Sequence, residues 1–539
     1  MAFVKILLLS LPGAYVLVRL SLLSAVSVSP VWQYLVGFLS LLVLQGALYG
    51  IYNWLIWPNL TSPLRGLPEP KAPSFWNGHG KEIIACRTGE PQRRWMKEVP
   101  NDGLILYRGI MGRERLMPTT PKVLAEVLTS KTYTFVKPRV FQFALARILG
   151  NGLLMAEGDE HKRQRKILTP AFHPRHLRSL FPLFWKKAVE MTELITEEIN
   201  KPGEEDPIVD FNSWGSRCTL DIIGEAAAGI DFKAMSDPNS DMLQVYRKVF
   251  QPSDDQIMIA VLNMFMPVWL MKLLPFKGVK DVSKARSIIM KVCQDMIKQK
   301  KLQLAEKKQM DSDILSIMIE DGSLSDEEMK NQLMTFMAAG HETTASAVSW
   351  SVYELARRPE IAERLRSAIR EAIPSLYDSN ITMETIESIR YLRNFCNEIL
   401  RYNPPVSFTI REAATDAVLN GHFVPKNTTV VIAPSAINLS EEFWGPDAGE
   451  FNPDRWDREG GNGGATSNYA NLTFLMGPRS CIGQKFAMEE FKAVIACLAG
   501  QFSFEEKTKD MEISVKGSIT QRPMHEGKLP IRTRVVPGW

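Results

Sequence analysis

The chain has 539 residues, of which 45% are hydrophobic and 23% are charged, and its formal net charge is +4. This length allows two or three average domains, or one large domain behind an anchor. So small a net charge on so long a chain indicates no global affinity for nucleic acid, and no nucleic-acid partner is expected.

The N-terminal segment is predicted to anchor the chain in a membrane. No charged residue occurs from Leu20 to Trp57, and Val31–Trp57 exceeds the roughly 20 apolar residues that cross a bilayer. Aromatic residues stand near both ends of this stretch, as in an interfacial belt. An earlier apolar run, Phe3–Val28, includes two basic residues and a proline. It is compatible with a second span, a re-entrant segment, part of a long signal-anchor or a cleavable signal peptide.

The residues after the span indicate where the anchor ends. Arg65 and Lys71 follow the apolar segment and favour a cytosolic position for the rest of the chain. Ser62–Pro73 contains four prolines, so a stiff, extended linker is expected there. We therefore predict an anchor over residues 1–57 with one or two spans, a proline-rich linker over 58–73 and one large domain over 74–539.

Helical periodicity dominates the predicted domain, and strand-like runs are short. Helices are predicted at Arg178–Glu198, Ser283–Gln309, Asp326–Arg358, Pro359–Ala372, Met383–Tyr402 and Gln484–Gly500. Strands are predicted at Leu104–Tyr107, Ala417–Leu419 and Thr428–Ile432. The predicted fold class is therefore mainly α with minor β.

The helix predicted over Asp326–Arg358 combines a well-capped start with an irregular middle. A capping-box pattern, Ser-Asp-Glu-Glu, begins at Ser325. In the middle, Gly340 costs about 1 kcal/mol relative to alanine, and Thr343 can hydrogen-bond the carbonyl of Ala339 and distort the helix. A buried helix gains no stability from such residues, so this stretch is a candidate for function.

A glycine-rich segment around Cys481 carries the strongest chemical signal. The chain has six cysteines without any CxxC or CxxxC pair, which argues against a disulfide framework and a structural zinc site and favours a reduced compartment. Gly477 precedes Cys481 by four residues and Gly483 follows it by two, just before a predicted helix. Such a loop can point backbone N–H groups at the sulfur, and a helix N-terminus favours a thiolate. The two interpretations are a thiolate ligand and a buried structural cysteine after a Gly-Pro turn.

Taken together, these motifs resemble those of the cytochrome P-450 family, in family order and spacing, over roughly residues 60–539. The patterns present are the haem loop FxxGxRxCxG, the oxygen-activation stretch [AG]GxxT, the ExxR pair and an arginine in a PERF-like turn, where aspartate replaces the glutamate. The haem loop matches at Phe474, Gly477, Arg479, Cys481 and Gly483, and the oxygen-activation stretch at Ala339, Gly340 and Thr343. The ExxR pair is Glu398 and Arg401, and the arginine of the PERF-like turn is Arg455. The family's fold is a large helical domain with small β-sheets, here behind a transmembrane anchor.

The resemblance implies a role for each matched position. It implies a b-type haem (heme b) whose iron is ligated by Cys481. It implies that Glu342 and Thr343 relay protons to iron-bound dioxygen. It implies that a buried salt-bridged triad braces the haem loop, formed by Glu398, Arg401 and Arg455. The cofactor-binding residues that it implies are Cys481, Arg479, Arg411, His161, Arg165, Phe474, Gly477, Gly483 and Gly340, with arginine forks suited to the haem propionates.

One departure concerns the WxxxR pattern that the family often has over the haem. Here the position contains His161-Lys-Arg-Gln-Arg165, and histidine can still donate a hydrogen bond to a propionate. The neighbouring basic residues form either a solvated face or a docking surface for an acidic reductase: Lys162, Arg163, Lys166 and Lys485. The partners that the resemblance implies are an NADPH–cytochrome reductase and cytochrome b5, and the implied location is the endoplasmic reticulum membrane with a cytosolic catalytic domain.

The implied reaction is the insertion of one oxygen atom of O2 into a hydrophobic small molecule. The residues in and around these motifs most resemble those of fungal microsomal members, which favours a role in secondary-metabolite biosynthesis. Substrate contacts are implied at Phe135–Leu149, Phe336–Ala339, Val406–Thr409 and Ile519–Thr520, which are mostly apolar. The alternatives are a haem-thiolate isomerase or dehydratase, a peroxygenase, and a non-catalytic haem-binding protein. A zinc protease is disfavoured because Ala345 stands where HExxH requires its second histidine.

Overall fold

The computed structural model describes residues 12, 15–16, 30–71, 74–203, 206–240, 244–245, 277–306, 313–378, 380–516 and 520–539. Most of the apolar run Phe3–Val28 lies outside the described residues, as does Ile519 of the implied substrate contacts.

Helices make up most of the described chain, as predicted. The α-helices are α1 Pro30–Ile51, α2 Gly80–Ala85, α3 Glu90–Glu98, α4 Pro121–Ala125, α5 Arg139–Leu149, α6 Gly158–Leu168, α7 Pro174–Ile199, α8 Phe211–Ala228, α9 Lys277–Ala305, α10 Ile314–Asp321, α11 Asp326–Arg357, α12 Pro359–Ala372, α13 Met383–Ser388, α14 Arg390–Tyr402, α15 Pro434–Ile437, α16 Glu441–Trp444 and α17 Gln484–Gln501. Single turns of 3-10 helix include Pro453–Asp457 and Gly477–Arg479, and π-helical turns occur at Tyr52–Thr61 and Glu126–Ser130.

Short strands form small sheets at the edge of the helical mass. The strands are β1 Leu104–Arg108, β2 Glu114–Pro118, β3 Phe135–Val136, β4 Ile208–Asp210, β5 Thr409–Ala413, β6 Ala417–Leu419, β7 His422–Val424, β8 Thr429–Ile432, β9 Phe502–Glu506, β10 Ser514–Lys516, β11 Arg522–Met524 and β12 Pro530–Val535. The order in the main sheet is β1-β2-β8-β5-β3, with β2 and β8 parallel and the other neighbours antiparallel. The remaining sheets are β4-β12-β9, β6-β7 and β10-β11.

Local chemistry sets several helix ends. The Asp210 side chain accepts the backbone N–H of Asn212 and caps α8, which ends at Gly229 in the left-handed region (φ 71°). Ser325 and Glu328 form the predicted reciprocal capping box before α11. These contacts satisfy backbone groups that have no partner inside the helix.

The prediction of one continuous helix over Met383–Tyr402 is wrong. It is divided into α13 and α14 at Ile389, whose backbone leaves the helical region (φ −76°, ψ 87°). The Ile389 side chain is buried at this break. Because the chain turns there, each helix buries its own apolar face, and periodicity alone does not detect such a turn.

One helix in the described part of the chain is long and apolar enough to cross a membrane. It extends over Val31–Thr61, and its most apolar 18-residue stretch has a mean hydropathy of 1.8. The helix therefore extends past Trp57, the predicted end of the anchor, because α1 continues through the π-helical turn Tyr52–Thr61 with Pro58 inside it. The Nδ2 of Asn59 donates to the carbonyl of Leu55 within this turn.

The proline-rich segment after the span packs against the domain. No regular helix occurs between Ser62 and Lys71, but the first half of the segment turns instead of being extended: the N–H of Arg65 donates to the carbonyl of Ser62, and the N–H of Leu67 to that of Leu64. Leu64 and Leu67 are buried against the main sheet, and the carbonyl of Pro68 accepts the N–H of Leu106 in β1. This part of the linker therefore belongs to the folded domain rather than acting as a free spacer.

The centre of the fold is the crossing of α8 and α11. A Cβ at Gly340 would lie 2.9 Å from the Ile223 side chain of α8, and one at Gly215 would lie 3.2 Å from the carbonyl oxygen of Ala345. Glycine at both positions lets the two helix backbones approach closely. The close contact positions the irregular middle of α11 next to α8.

Candidate active site

The loop before α17 is built around two backbone hydrogen bonds. The N–H of Cys481 donates to the carbonyl of Phe474 (2.8 Å), and the N–H of Ser480 donates to that of Gly477 (3.0 Å). Gly477 has φ 80°, and a Cβ there would lie 2.2 Å from the carbonyl oxygen of Leu128. Glycine is required at this position by both the backbone conformation and the close packing on the π-helical turn Glu126–Ser130.

Cys481 differs from the other cysteines in its surroundings. All six cysteines lie in the described part of the chain as free thiols; Cys481 is exposed, Cys86 is half-buried and the other four are buried. Protein atoms still surround the Cys481 side chain closely, so burial raises the pKa of its thiol. The backbone N–H of Gly483 and the charge of Arg165 oppose this rise. The sulfur is thus accessible and receives a backbone hydrogen bond, as the glycine pattern predicted.

A cluster of cations lies beside this loop. Arg479 donates from Nη1 to Glu157 Oε1 (3.1 Å), and Lys137 Nζ is 3.6 Å from the same oxygen. Arg411 contacts neutral groups, the Thr409 hydroxyl (2.8 Å) and the Ile410 carbonyl (3.0 Å). Arg479 Nε is buried and has no hydrogen-bond partner. Arg479 and Lys137 therefore share one carboxylate, while the third buried cation, Arg411, is held by neutral groups.

The electrostatics of the cluster reflect this excess of positive charge. Burial, together with the charges of Arg411 and Arg479, lowers the pKa of Lys137 to about 7. Burial also lowers the pKa values of Arg411 and Arg479 to about 10. A buried set of like charges is costly unless an anion compensates it. The cluster is suited to a ligand with two negative charges.

His161 and Arg165 lie on the same side of the loop, on α6. His161 is buried, and its Nδ1 is 3.2 Å from the hydroxyl of Tyr133. Burial and then the charges of Lys137 and Arg165 lower the pKa of His161 to about 4, so the ring is neutral at physiological pH. Arg165 donates from Nη1 to the carbonyl of Ser480 (2.7 Å), next to Cys481.

The middle of α11 contains the side-chain-to-backbone hydrogen bond that the sequence predicted, and the helix continues unbroken through it over Asp326–Arg357. Thr343 Oγ1 donates to the carbonyl of Ala339 (2.8 Å), as expected from the sequence. The carbonyl of His341 accepts a hydrogen bond from the Thr219 hydroxyl of α8 (3.0 Å). Side chains therefore compete with the helix for its own backbone groups at this point.

Glu342 is held by groups from three directions. Arg522 of β11 donates from Nη2 to Glu342 Oε2 (2.6 Å), and the Thr520 hydroxyl donates to the same oxygen (3.2 Å). His341 Nε2 is 3.3 Å from Glu342 Oε1. Burial alone would raise the pKa of Glu342, but the Arg522 charge, His341 and the Thr520 hydroxyl together outweigh it and lower that pKa to about 2.

A second carboxyl approaches α11 from α17. Thr344 Oγ1 donates to Glu490 Oε2 (3.0 Å), and the other oxygen, Oε1, is buried without a hydrogen-bond partner. Burial raises the pKa of Glu490 to about 8, so this carboxyl is protonated at neutral pH. The contact joins the helix that follows Cys481 to the helix that contains Glu342.

The three residues of the implied triad lie in contact and are fully buried. Arg401 donates from Nε and Nη2 to Glu398 (2.8 Å each), and Arg455 Nε donates to Glu398 Oε1 (3.1 Å). The remaining donors of Arg401 bind the backbone carbonyls of Asn438, Ala448 and Glu450. Nearly every polar atom of Glu398 and Arg401 thus has a hydrogen-bond partner, as a buried ion pair requires.

Asn438 connects this group to the Cys481 loop. Its Oδ1 accepts the N–H of Leu472 (2.8 Å), and its Nδ2 donates to the Thr473 hydroxyl (2.9 Å). Thr473 in turn donates to the carbonyl of Leu400 in α14 (2.6 Å). Since Thr473 precedes Phe474, the triad is tied to the start of the loop through two side chains that the sequence motifs did not single out.

Comparison with known proteins agrees with this geometry. The family model described as Cytochrome P450 matches residues 68–528. The chain belongs to the cytochrome P450 family. It is 40% identical over 499 residues to cytochrome P450 monooxygenase sphH of Aspergillus fumigatus, covering 91% of each chain. It is 36% identical to cytochrome P450 monooxygenase FUM15 of Gibberella moniliformis (90% of this chain, 91% of the relative) and 36% identical to buaD of Petromyces alliaceus (94% of both).

The family and fold predicted from the motifs are confirmed, and the protein is a haem-thiolate monooxygenase. The residues present fit a haem with cysteine thiolate ligation. Cys481 offers an accessible sulfur, and the cation cluster with its unpaired Arg479 Nε suits the two propionate carboxylates of that group. Lys137 joins this P450 cluster although no motif identified it; a basic residue between Val136 and Pro138 is the only signal in the sequence.

Other implied positions have different surroundings in this P450. Gly340 faces Ile223 of α8, so the structure shows a packing requirement there. A Cβ at Gly483 would meet Phe172 at 3.7 Å, an ordinary contact. Phe474 is partly buried against the core. The side chain of Thr520 binds Glu342 rather than lying open for a substrate.

The basic face of α6 is partly neutralised by its own helix. Lys162 pairs with Asp159 (2.8 Å) and Arg163 with Glu160 (2.7 Å), while Lys166 and Lys485 are exposed. Because ion pairs engage Lys162 and Arg163, this face presents less positive charge to a partner than its basic residues alone would indicate.

Proposed function

We propose that this P450 is anchored in the endoplasmic reticulum membrane and oxidises a hydrophobic small molecule in secondary-metabolite biosynthesis. The observation that carries the proposal is Cys481: an accessible sulfur in a braced loop, hydrogen-bonded by a backbone amide and flanked by buried cations. The pathway is proposed from the similarity to fungal members.

The bound haem would supply the activation of dioxygen at an iron with a thiolate ligand. Cys481 provides that ligand, and the N–H of Gly483 moderates the charge on its sulfur. Arg411, Arg479 and Lys137 would hold the propionates, and the buried, neutral His161 would add a hydrogen-bonding ring. Arg165 fixes the loop through the Ser480 carbonyl.

The middle of α11 supplies the proton path. Thr343 presents a hydroxyl whose proton is held on the carbonyl of Ala339 in the resting arrangement. Arg522 and Thr520 both bind Oε2 of the Glu342 carboxylate, so Oε1 is the atom at which this group can accept and return a proton. The protonated Glu490 lies one residue along, on Thr344.

The anchor and the electron partner complete the proposal. Val31–Thr61 crosses the membrane as the N-terminal span, and residues 74–539 form the catalytic domain on the cytosolic side. The exposed Lys166 and Lys485 contribute to the docking surface for an NADPH–cytochrome reductase, with cytochrome b5 as a second electron donor.

The test is the absorption spectrum of the reduced, carbon-monoxide-bound protein. Wild type is expected to have the Soret band of a thiolate-ligated haem, and Cys481→Ala is expected to lose it. Cys86→Ala serves as the matched control, because Cys86 is the other cysteine that is not fully buried. A thiolate-type band that survives in Cys481→Ala, or is missing from wild type, would contradict the assignment.

A further inference from the structure

His341 lies between two oxygen atoms inside the protein. Its ring is buried, with 1% of the side chain exposed. Nδ1 is 2.9 Å from the carbonyl oxygen of Met337, one turn earlier in α11, and Nε2 is 3.3 Å from Glu342 Oε1. No sequence motif assigns a role to this residue.

The two contacts decide where protons must be. A carbonyl oxygen only accepts, so Nδ1 carries a hydrogen that it donates to Met337. In a neutral ring with that tautomer, Nε2 has a lone pair and is itself an acceptor. The Nε2–Oε1 contact is then a hydrogen bond only if one more proton is present, on His341 or on Glu342.

The other carboxylate oxygen is already engaged. Glu342 Oε2 accepts hydrogen bonds from Arg522 Nη2 (2.6 Å) and from the Thr520 hydroxyl (3.2 Å). These two donors direct any exchangeable proton to Oε1, the atom that faces His341. The shared proton therefore has one position, between Nε2 and Oε1.

The groups around this pair come from several elements. Strand β11 contributes the Arg522 charge, and α8 contributes neutral contacts: the Ser216 hydroxyl on Arg522 (2.7 Å) and the Thr219 hydroxyl on the His341 carbonyl (3.0 Å). From α17, Glu490 reaches the next turn of α11 through Thr344. Arg522 is thus the cation in contact with Glu342 from another element, and it favours the carboxylate form.

We propose that His341 is a positioning residue that shares one proton with Glu342 and loads that carboxylate for proton delivery. This inference rests on the relay role given to Glu342 in the proposed function. In the transfer, the N–H bond at His341 Nε2 breaks and an O–H bond forms at Glu342 Oε1, so the total charge of the pair is unchanged. A proton passed onward is replaced by one from water.

Substitutions can separate proton sharing from simple hydrogen bonding. His341→Gln places an amide N–H where Nε2 was, so it can still donate to Glu342 but cannot titrate. His341→Asn keeps a donor near the Met337 carbonyl and removes the contact with Glu342. His525→Gln is the control, because His525 follows β11 and contacts the carbonyl of Glu512 instead. The reduced, carbon-monoxide-bound spectrum verifies that each variant folds around its haem.

The first readout is infrared spectroscopy of the full-length holoprotein, titrated over the whole pH range in which the protein keeps its haem. The Glu342 carboxylate band is identified by its loss in Glu342→Gln. We expect this band to shift with pH in wild type and His525→Gln, and to lose its pH dependence in His341→Gln and His341→Asn. The same pH dependence in both His341 variants as in wild type, or none in wild type, would overturn the proposal.

The second readout is the hydrogen peroxide released per NADPH oxidised, with an NADPH–cytochrome reductase and lipid but no added substrate. Peroxide release rises when protons are not delivered for O–O cleavage. We expect a several-fold rise in His341→Gln, and none in His525→Gln. If Glu342→Gln leaves the peroxide ratio unchanged, the relay in the proposed function fails, while the infrared result still decides whether His341 and Glu342 share a proton.

Discussion

Replacing Arg522 by glutamine tests how strongly the protein stabilises the Glu342 carboxylate. The two side chains are almost completely buried and 2.6 Å apart, and Arg522 also binds the Ser216 hydroxyl. Glutamine keeps a polar group in the space but removes the positive charge. The burial of Glu342 then acts unopposed by the strongest of the groups that lower its pKa.

The expected magnitude follows from the pKa of Glu342. Its folded value of about 2, against an ordinary 4.5, corresponds to about 3 kcal/mol at 1.36 kcal/mol per pKa unit. Because the folded pKa lies below the unfolded one, this stabilisation is fully present above about pH 4.5 and is lost as pH falls toward 2. Breaking one buried ion pair costs about 3–5 kcal/mol, which is consistent with that figure.

The assay is a double-mutant cycle on the free energy of unfolding in urea. It uses wild type, Arg522→Gln, Glu342→Gln and the double variant at pH 7. We expect a coupling energy of about 3 kcal/mol, since the double variant leaves no unpaired buried charge. Arg532→Gln is the control: this arginine pairs with Asp206 at the surface and should cost less than about 1 kcal/mol. A coupling energy near zero at pH 7 would refute the electrostatic account of Glu342.

Three further substitutions have defined outcomes. Gly477→Ala should sharply reduce the haem bound per protein, measured by absorbance, because its Cβ would collide with the Leu128 carbonyl; Gly483→Ala, with an ordinary contact, should bind haem like wild type. Glu398→Gln should lower the free energy of unfolding by about 3–5 kcal/mol, because it leaves buried arginines without their carboxylate; a loss below 1 kcal/mol would contradict this. Lys137→Met should stabilise the apoprotein but weaken haem retention. Since burial lowers the pKa of Lys137 to about 7, apoprotein stability in wild type should rise between about pH 7 and the ordinary 10.5, and that rise should be smaller in the variant.

Helices with a continuous apolar period were predictable from sequence. The ends of α11 and α12 agree with their predicted bounds within one residue, because a capping box and a proline mark their starts. The break at Ile389 was not predictable, since it depends on how α13 and α14 each pack against the core. Strands such as β2 and β5 were also missed, because their pattern resembles ordinary loop sequence until the sheet pairs them.

The candidate site also has a part that was predictable from the sequence and a part that was not. The loop around Cys481 was predictable because its residues act within ten positions of one another, through local turns and one glycine conformation. The cation cluster was only partly predictable, because Lys137 and Glu157 meet Arg479 from more than 300 residues away. Asn438 was missed for the same reason: its contacts with Leu472 and Thr473 exist only in the folded chain.

The sequence by itself determined the family, the mainly α fold, the glycine-rich loop that presents Cys481 and the apolar N-terminal helix, because each of these depends on composition, periodicity or closely spaced residues. Only the tertiary structure decided the protonation states of the buried side chains. Partners distant in sequence, Arg522 above all, keep the buried Glu342 a carboxylate, whereas burial makes Glu490 an acid and His161 a neutral ring. Protonation depends on the dielectric and on charges brought together by folding, and neither can be obtained from the order of residues along the chain.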